Sequence, residues 1–283
     1  MTTTFKSSEG KQAVFTFYDD MLAQWAVPHE TFTVNTRHGD TFVIASGDPL
    51  NPPMILLHGA SSNSMAWGGD VATYSEKYRV YAVDLIGEAG KSAETRPSYD
   101  SAGFAEWLDD VRVALDIEIM TLVGLSLGGW VSIKYALTYP EHVSALVLLA
   151  SGGIVAQNNL FFLRMLPLFM LGKWGQRRAM QMLFGDVPIP EGTIDGMGVI
   201  MRNFKPRRDE LYLFTDAELA SLTMPVFFIG GEKDGIFDMK IAVPRVKARV
   251  AQLETQVIAG GGHAIVHTAP DVMRFLSGIQ ILT

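Results

Sequence analysis

The chain predicts an α/β fold, a mostly parallel sheet covered by helices on both faces, and three observations predict it. Its apolar runs are of strand length and continuous rather than alternating, helical stretches separate successive runs, and several runs end in glycine-rich turns. A strand with one solvated face alternates in polarity, whereas one buried on both faces reads as unbroken Val, Ile, Leu and Phe.

The first pair of strands differs from the rest. Residues 31–35 alternate, His38-Gly39-Asp40 turns the chain and 41–45 runs back, which predicts an antiparallel hairpin. Residues 54–58, behind Pro52-Pro53, form the first continuous run, followed by a Ser/Gly loop and a helix-like stretch over 65–77. Further runs lie at 79–84, 120–124, 143–149, 225–229 and 255–258, with helical stretches at 101–116, 127–138, 239–250 and 270–279. Residues 152–222 interrupt this rhythm with a helical, Met/Phe-rich, Pro-broken segment far longer than an ordinary βαβ connection. It reads as a cap inserted into a core formed by 1–151 and 223–283.

Composition bounds the function. At 283 residues, 48% hydrophobic and 19% charged, the chain can bury a full core and is neither disordered nor fibrous. A net charge of −7 repels nucleic acid and anionic lipid unless a local basic patch intervenes, and only the pairs Arg177-Arg178 and Arg207-Arg208 stand out. No partner of either kind is expected. With no cysteine, disulfides, thiolate metal sites and thiol nucleophiles are excluded, which leaves Ser, Thr, Asp or Lys for covalent chemistry. The first residues lack the apolar core of a secretory signal, and the most apolar stretch, 160–171, is broken by Arg164 and Pro167, so a soluble cytoplasmic protein is expected.

Gly124-Leu125-Ser126-Leu127-Gly128 fits G-x-S-x-G between a predicted strand and a predicted helix. Its small flanking residues permit a sharp turn that holds a serine in a strained, exposed position at a helix N-terminus. A serine hydroxyl needs a base, and the base needs an orienting carboxylate. His263 follows the run 255–258 through Gly260-Gly261-Gly262, at the strand end where open α/β sheets bind ligands. His267 is its nearest rival, placed in an apolar segment where packing or capping is the other reading. Asp234 follows the run 225–229 and gives the chain order Ser, Asp, His. Asp238 and Glu232 compete, Asp238 also as a helix cap. The N–H groups of Ala60, after His58-Gly59, and of Leu127 are candidates for an oxyanion hole, with an ordinary glycine turn as the plain alternative at 58–60. Residues 87–92 end in Gly-Lys-Ser, but Leu85 stands where a phosphate-binding loop needs glycine. No helix carries histidines at metal spacing, and no metal is expected.

With these pieces in place, the chain resembles the α/β-hydrolase fold superfamily, in its capped esterase, C–C hydrolase and haloperoxidase-like branch. The matching segments are His58-Gly59, 84–92, 124–129, 139–143, 231–237 and Gly262-His263 with Pro270. The resemblance implies an eight-stranded, mostly parallel sheet and a cap over its carboxyl edge. It also implies a cofactor-free triad of Ser126, Asp234 and His263, with Ala60 and Leu127 at the oxyanion positions. Two departures are noted: the loop after Asp84 has one extra residue between its glycines, and Thr268 replaces a frequent acid. Serine at 126, where related dehalogenases and epoxide hydrolases carry aspartate, disfavours those reactions.

The expected activity is hydrolysis of a small, apolar carboxylic ester through an acyl-enzyme. C–C bond hydrolysis, thioester or peracid chemistry on the same triad, or a non-catalytic ligand receptor, are the alternatives. Phe161, Met165, Phe169 and Phe184 are the candidate substrate-binding residues, each of which serves equally well as cap-to-sheet packing. The sequence sets no oligomeric state.

Overall fold

The computed structural model describes residues 3–279, with the side chains of Phe162, Leu166 and Phe169 outside that description. Helix α1 (Ser8–Leu22) begins at Ser7, whose Oγ accepts the Gly10 N–H (3.0 Å). The hairpin β1 (His29–Thr36) and β2 (Gly39–Ser46) precedes β3 (Pro53–Leu57), α2 (Val71–Ser75) and β4 (Arg79–Val83). Then come α3 (Gly103–Ala114), β5 (Met120–Leu125), α4 (Leu127–Thr138) and β6 (Val143–Leu149). Between β6 and the next strand lie α5 (Asn159–Met165), α6 (Gly172–Phe184), α7 (Thr193–Asn203) and α8 (Asp216–Ala220). The chain closes with β7 (Val226–Gly231), α9 (Met239–Arg249), β8 (Leu253–Ile258) and α10 (Ala269–Gly278).

The eight strands form one sheet in the order β1-β2-β4-β3-β5-β6-β7-β8. The β1–β2 and β2–β4 pairs are antiparallel, and every pair from β4 through β8 is parallel. Two apolar layers flank it, and β3 shows why its run is unbroken. Ile55 and Leu57 pack into the layer beneath α3, α4 and α9, while Met54 and Leu56 pack on the opposite face with Tyr18 of α1, Tyr74 of α2 and Phe275 of α10. Side chains alternate between faces, so both parities must be apolar.

Two elements depart from expectation. The stretch 65–77 is split into a 3₁₀ turn at Ser64–Trp67 and the short α2, separated by Gly68-Gly69-Asp70. Helix α1 escaped the sequence reading because its buried stripe is narrow, Gly10, Val14 and Tyr18 at i, i+4 and i+8. The residues between β6 and β7 are predominantly helical, as the composition predicts, and reach back to the N-terminus through an antiparallel bridge between Phe5 and Phe204. Among the described residues no helix is long and apolar enough to cross a membrane.

Candidate active site

Ser126 stands between β5 and α4 at φ 52°, ψ −106°, a left-handed conformation that a side chain enters only at a cost. Its backbone is held on both sides: the N–H donates to Leu149 O (2.8 Å), and the carbonyl accepts from Trp130 and Gly152 (3.0 Å each). The flanking glycines are steric necessities. A Cβ on Gly124 would strike the backbone at Gly128, and one on Gly128 would strike the Leu57 carbonyl.

Three strand ends bring the predicted polar groups together. Ser126 Oγ lies 2.9 Å from His263 Nε2, and His263 Nδ1 lies 2.9 Å from Asp234 Oδ2. The Asp234 side chain is fully buried, and its other oxygen accepts the N–H groups of Ile236 (2.8 Å) and Phe237 (3.0 Å). With both carboxylate oxygens acting as acceptors, Nδ1 carries the imidazole proton and Nε2 is left to accept from the serine hydroxyl. The Phe237 ring meets the imidazole edge-on, with centroids 5.3 Å apart.

The competing residues are otherwise employed. Asp238 caps α9 by accepting the Lys240 N–H (2.9 Å), and Glu232 accepts the Gly260 N–H (2.8 Å). His267 is exposed, at φ 57°, with its ring against Gly69, and does not reach the serine by any hydrogen bond among the described residues.

The turn carrying Ala60 lies against the serine, since a Cβ on Gly59 would fall 3.5 Å from Ser126 Cβ. Neither the Ala60 N–H nor the Leu127 N–H donates to another described residue. For Leu127 this follows from its place in the first turn of α4, whose leading N–H groups have no intrahelical acceptor. The turn is braced from beneath by His58, whose Nδ1–H donates to Gly59 O (2.8 Å) while Nε2 accepts the Leu85 N–H (2.9 Å). Complete burial pushes the His58 pKa down, so the ring is neutral and suited to that donor–acceptor pair.

Sequence reasoning missed Glu88. It lies inside the Gly87–Ser92 segment, dismissed as a failed phosphate loop, and its Oε2 accepts the Ser61 N–H (2.6 Å), one residue beyond Ala60. Burial pushes its pKa up to about 7 against the pull of that N–H, Arg96 and Arg207. The rest of the segment is a clamp: Asp84 accepts from Ser64 N–H (2.8 Å) and Lys91 N–H (2.7 Å), and Ser92 Oγ donates to the Asp84 carbonyl (2.6 Å). Leu211 was also missed. It closes over Gly152 beside the Ser126 carbonyl, where no periodicity marked it.

Of the apolar candidates, Phe161, Met165 and Phe184 are buried, and the Phe161 ring packs on Gly235, next to Asp234. The Phe169 side chain lies outside the described residues. The end of α6 is tied to the histidine loop by Gly262 N–H to Phe184 O and Ala264 N–H to Leu183 O (2.9 Å each). Among the described residues no cluster of three or more His, Asp or Glu is placed to hold a metal ion.

Residues 54–274 match the family described as Alpha/beta hydrolase family. The chain belongs to that family. Carboxylesterase YbfK of Bacillus subtilis is 32% identical to this hydrolase, over 97% of each chain. The crystal structure of carboxylesterase CesB (YbfK) superposes with a TM-score of 0.85 at 29% identity, covering 96% of this chain and all of that one. The crystal structure of naproxen esterase (carboxylesterase NP), also from Bacillus subtilis, superposes with a TM-score of 0.86 at 30% identity, covering 96% of this chain and 99% of that one.

Proposed function

We propose that the chain is a serine carboxylesterase whose catalytic residues are Ser126, His263 and Asp234. The observation that carries the reading is the unbroken hydrogen-bonded line from the Asp234 carboxylate through the imidazole to the serine hydroxyl. Similarity to carboxylesterases along nearly the whole chain supports ester hydrolysis as the reaction.

In the first half-reaction Ser126 Oγ attacks the ester carbonyl carbon while His263 Nε2 takes its proton. The carbonyl oxygen becomes an oxyanion, met by the N–H groups of Ala60 and Leu127, each worth about 2.7–4 kcal/mol if typical of such donors. Collapse breaks the ester C–O bond, and His263 returns the proton to the departing alcohol. Water then repeats the sequence on the acyl-serine and releases the carboxylic acid. Asp234 holds the tautomer and stabilises the imidazolium formed in each half.

Residues 152–222 act as the cap, with Phe161, Met165 and Phe184 lining the apolar side of the substrate cavity. The substrate is a small-molecule ester and the compartment is cytoplasmic. Ser126→Ala should abolish turnover of short p-nitrophenyl esters and labelling by a fluorophosphonate. An unchanged rate removes the serine from the mechanism.

A further inference from the structure

Of eleven large apolar side chains exposed among the described residues, five lie between 160 and 174. Helix α5, the 3₁₀ turn at Leu166–Leu171 and α6 pack on one another, and their inward faces are spent on Phe161, Met165, Ala179 and Met180. What faces outward is Leu163, Met170 (88% exposed), Leu171 and Trp174 (67% exposed). Trp174, Arg177 and Arg178 stand at i, i+3 and i+4 and share one face of α6.

Charge singles out the same surface. Residues 152–185 contain Arg164, Lys173, Arg177 and Arg178 and no Asp or Glu, so a chain of net −7 carries +4 there and −11 elsewhere. All four cations are exposed, and none enters an ion pair among the described residues. The neighbouring acid, Asp186, is occupied by Lys233 (2.7 Å).

We infer that this outer face of α5–α6 docks on an anionic lipid surface, with Trp174, Met170 and Leu163 entering the headgroup boundary and the four cations meeting lipid phosphates. Exposed apolar side chains beside unpaired cations, as with Trp174, Arg177 and Arg178 on one face of α6, fit a surface that is apolar at depth and negative at its plane. A second copy fits poorly, because an isologous contact would bring +4 against +4. A nucleic acid leaves the exposed Leu and Met unburied. The −11 of the remaining molecule is repelled by the same surface and orients the chain with this face toward it. The expectation of no membrane partner rested on whole-chain charge, whereas this inference rests on the local patch that contains Arg177 and Arg178. The inference concerns binding and is independent of the ester chemistry.

The test is sedimentation of the intact protein with phosphatidylcholine vesicles containing or lacking 30% phosphatidylglycerol. Binding is expected only with the anionic lipid and falls as salt is raised. Each cation near such a surface contributes about fivefold in partitioning, so R177E/R178E should weaken binding by at least about 25-fold. Trp174→Ser should lose vesicle binding while hydrolysis of a soluble short ester is unchanged, and Ser126→Ala should bind like the wild type while hydrolysing nothing. Equal binding to neutral and anionic vesicles, no binding at low salt, or undiminished binding by R177E/R178E overturns the inference. So does a concentration-dependent dimer that Trp174→Ser dissociates, which would make the face a contact between copies.

Discussion

Replacing Glu88 with Gln should remove a pH-dependent cost that the fold carries in one buried carboxyl. Glu88 is fully enclosed, its carboxylate takes a single hydrogen bond, from the Ser61 N–H, and the cations that face it, Arg96 and Arg207, are committed to carbonyls of Gly87, Lys205 and Pro97 and, for Arg207, also to Asp209. Tyr99, the remaining titratable neighbour, sits under the Arg207 guanidinium (3.8 Å) with its own pKa pushed up by burial. The glutamate therefore keeps its proton to about 7 in the folded chain, against 4.5 for an ordinary one. Below 4.5 both states are protonated and nothing is lost. Between 4.5 and 7 the unfolded chain ionises first, so stability falls as pH rises, by about 3 kcal/mol in all, and then levels off. A glutamine cannot ionise, yet its carbonyl still accepts from Ser61. Urea unfolding of both proteins at pH 5 and pH 8 should show the wild type losing about 2–3 kcal/mol relative to E88Q over that interval. Parallel pH dependences would refute the placement of this carboxyl in a desolvated pocket.

Two further expectations follow from local geometry. Gly172 and Gly185 both have positive φ, but a Cβ on Gly172 meets nothing within 4 Å whereas one on Gly185 strikes the Gly260 carbonyl and Gly262 N. Gly172→Ala should lose about 1–3 kcal/mol in thermal or urea unfolding from backbone strain alone, whereas Gly185→Ala should lose more because its Cβ also clashes with backbone, and only Gly185→Ala should lower kcat by displacing the His263 loop. In Asp234→Asn the side-chain carbonyl keeps the Ile236 and Phe237 N–H groups and turns its amide toward Nδ1, which forces the wrong tautomer. Ester turnover at neutral pH should fall on the order of 10³–10⁴-fold with the fold intact by circular dichroism.

Much of the fold was legible because burial on both faces of the sheet writes itself as unbroken apolar runs, as at residues 143–149. The polar site was legible for a related reason. Glycines at 124, 128 and 262 are required by close backbone approach, and each lies within two residues of Ser126 or His263, the residues proposed as catalytic. Glu88 was not legible, since its importance lies in one hydrogen bond to a residue 27 positions away and in the absence of water around it. Nor was Leu211, which belongs to an irregular strap where neither period 2 nor period 3.6 marks a buried side. The outer face of α6 illustrates a third failure. A helix whose exposed side is partly apolar has too blurred a pattern for sequence to separate packing residues from surface ones, and only solvent exposure distinguishes Met180 from Trp174.

The place of the long excursion is itself a consequence of sheet order. Because β3 through β8 are parallel, the chain leaves each of these strands at one edge of the sheet, and Ser126, Asp234 and His263 follow β5, β7 and β8 there. Strand β6 lies between β5 and β7, so any segment inserted after Leu149 starts between the nucleophile and the acid. The N–H of Ser126 is bonded to Leu149, the last residue of β6, and its carbonyl to Gly152, at the start of that segment, and the far end of α6 is bonded to the loop of His263. The excursion is thus anchored beside Ser126 and the His263 loop before it returns to β7. A lid hinged freely at this edge would have to break the hydrogen bonds of Phe184 and Leu183 to residues 262–264. The start of α5 is tied to the Asp234 loop as well, by Asn158 N–H to Ile236 O (2.9 Å), Asn158 Nδ2–H to Gly235 O (3.1 Å) and Phe161 packed on Gly235, so free hinge motion is resisted at both ends of the α5–α6 stretch.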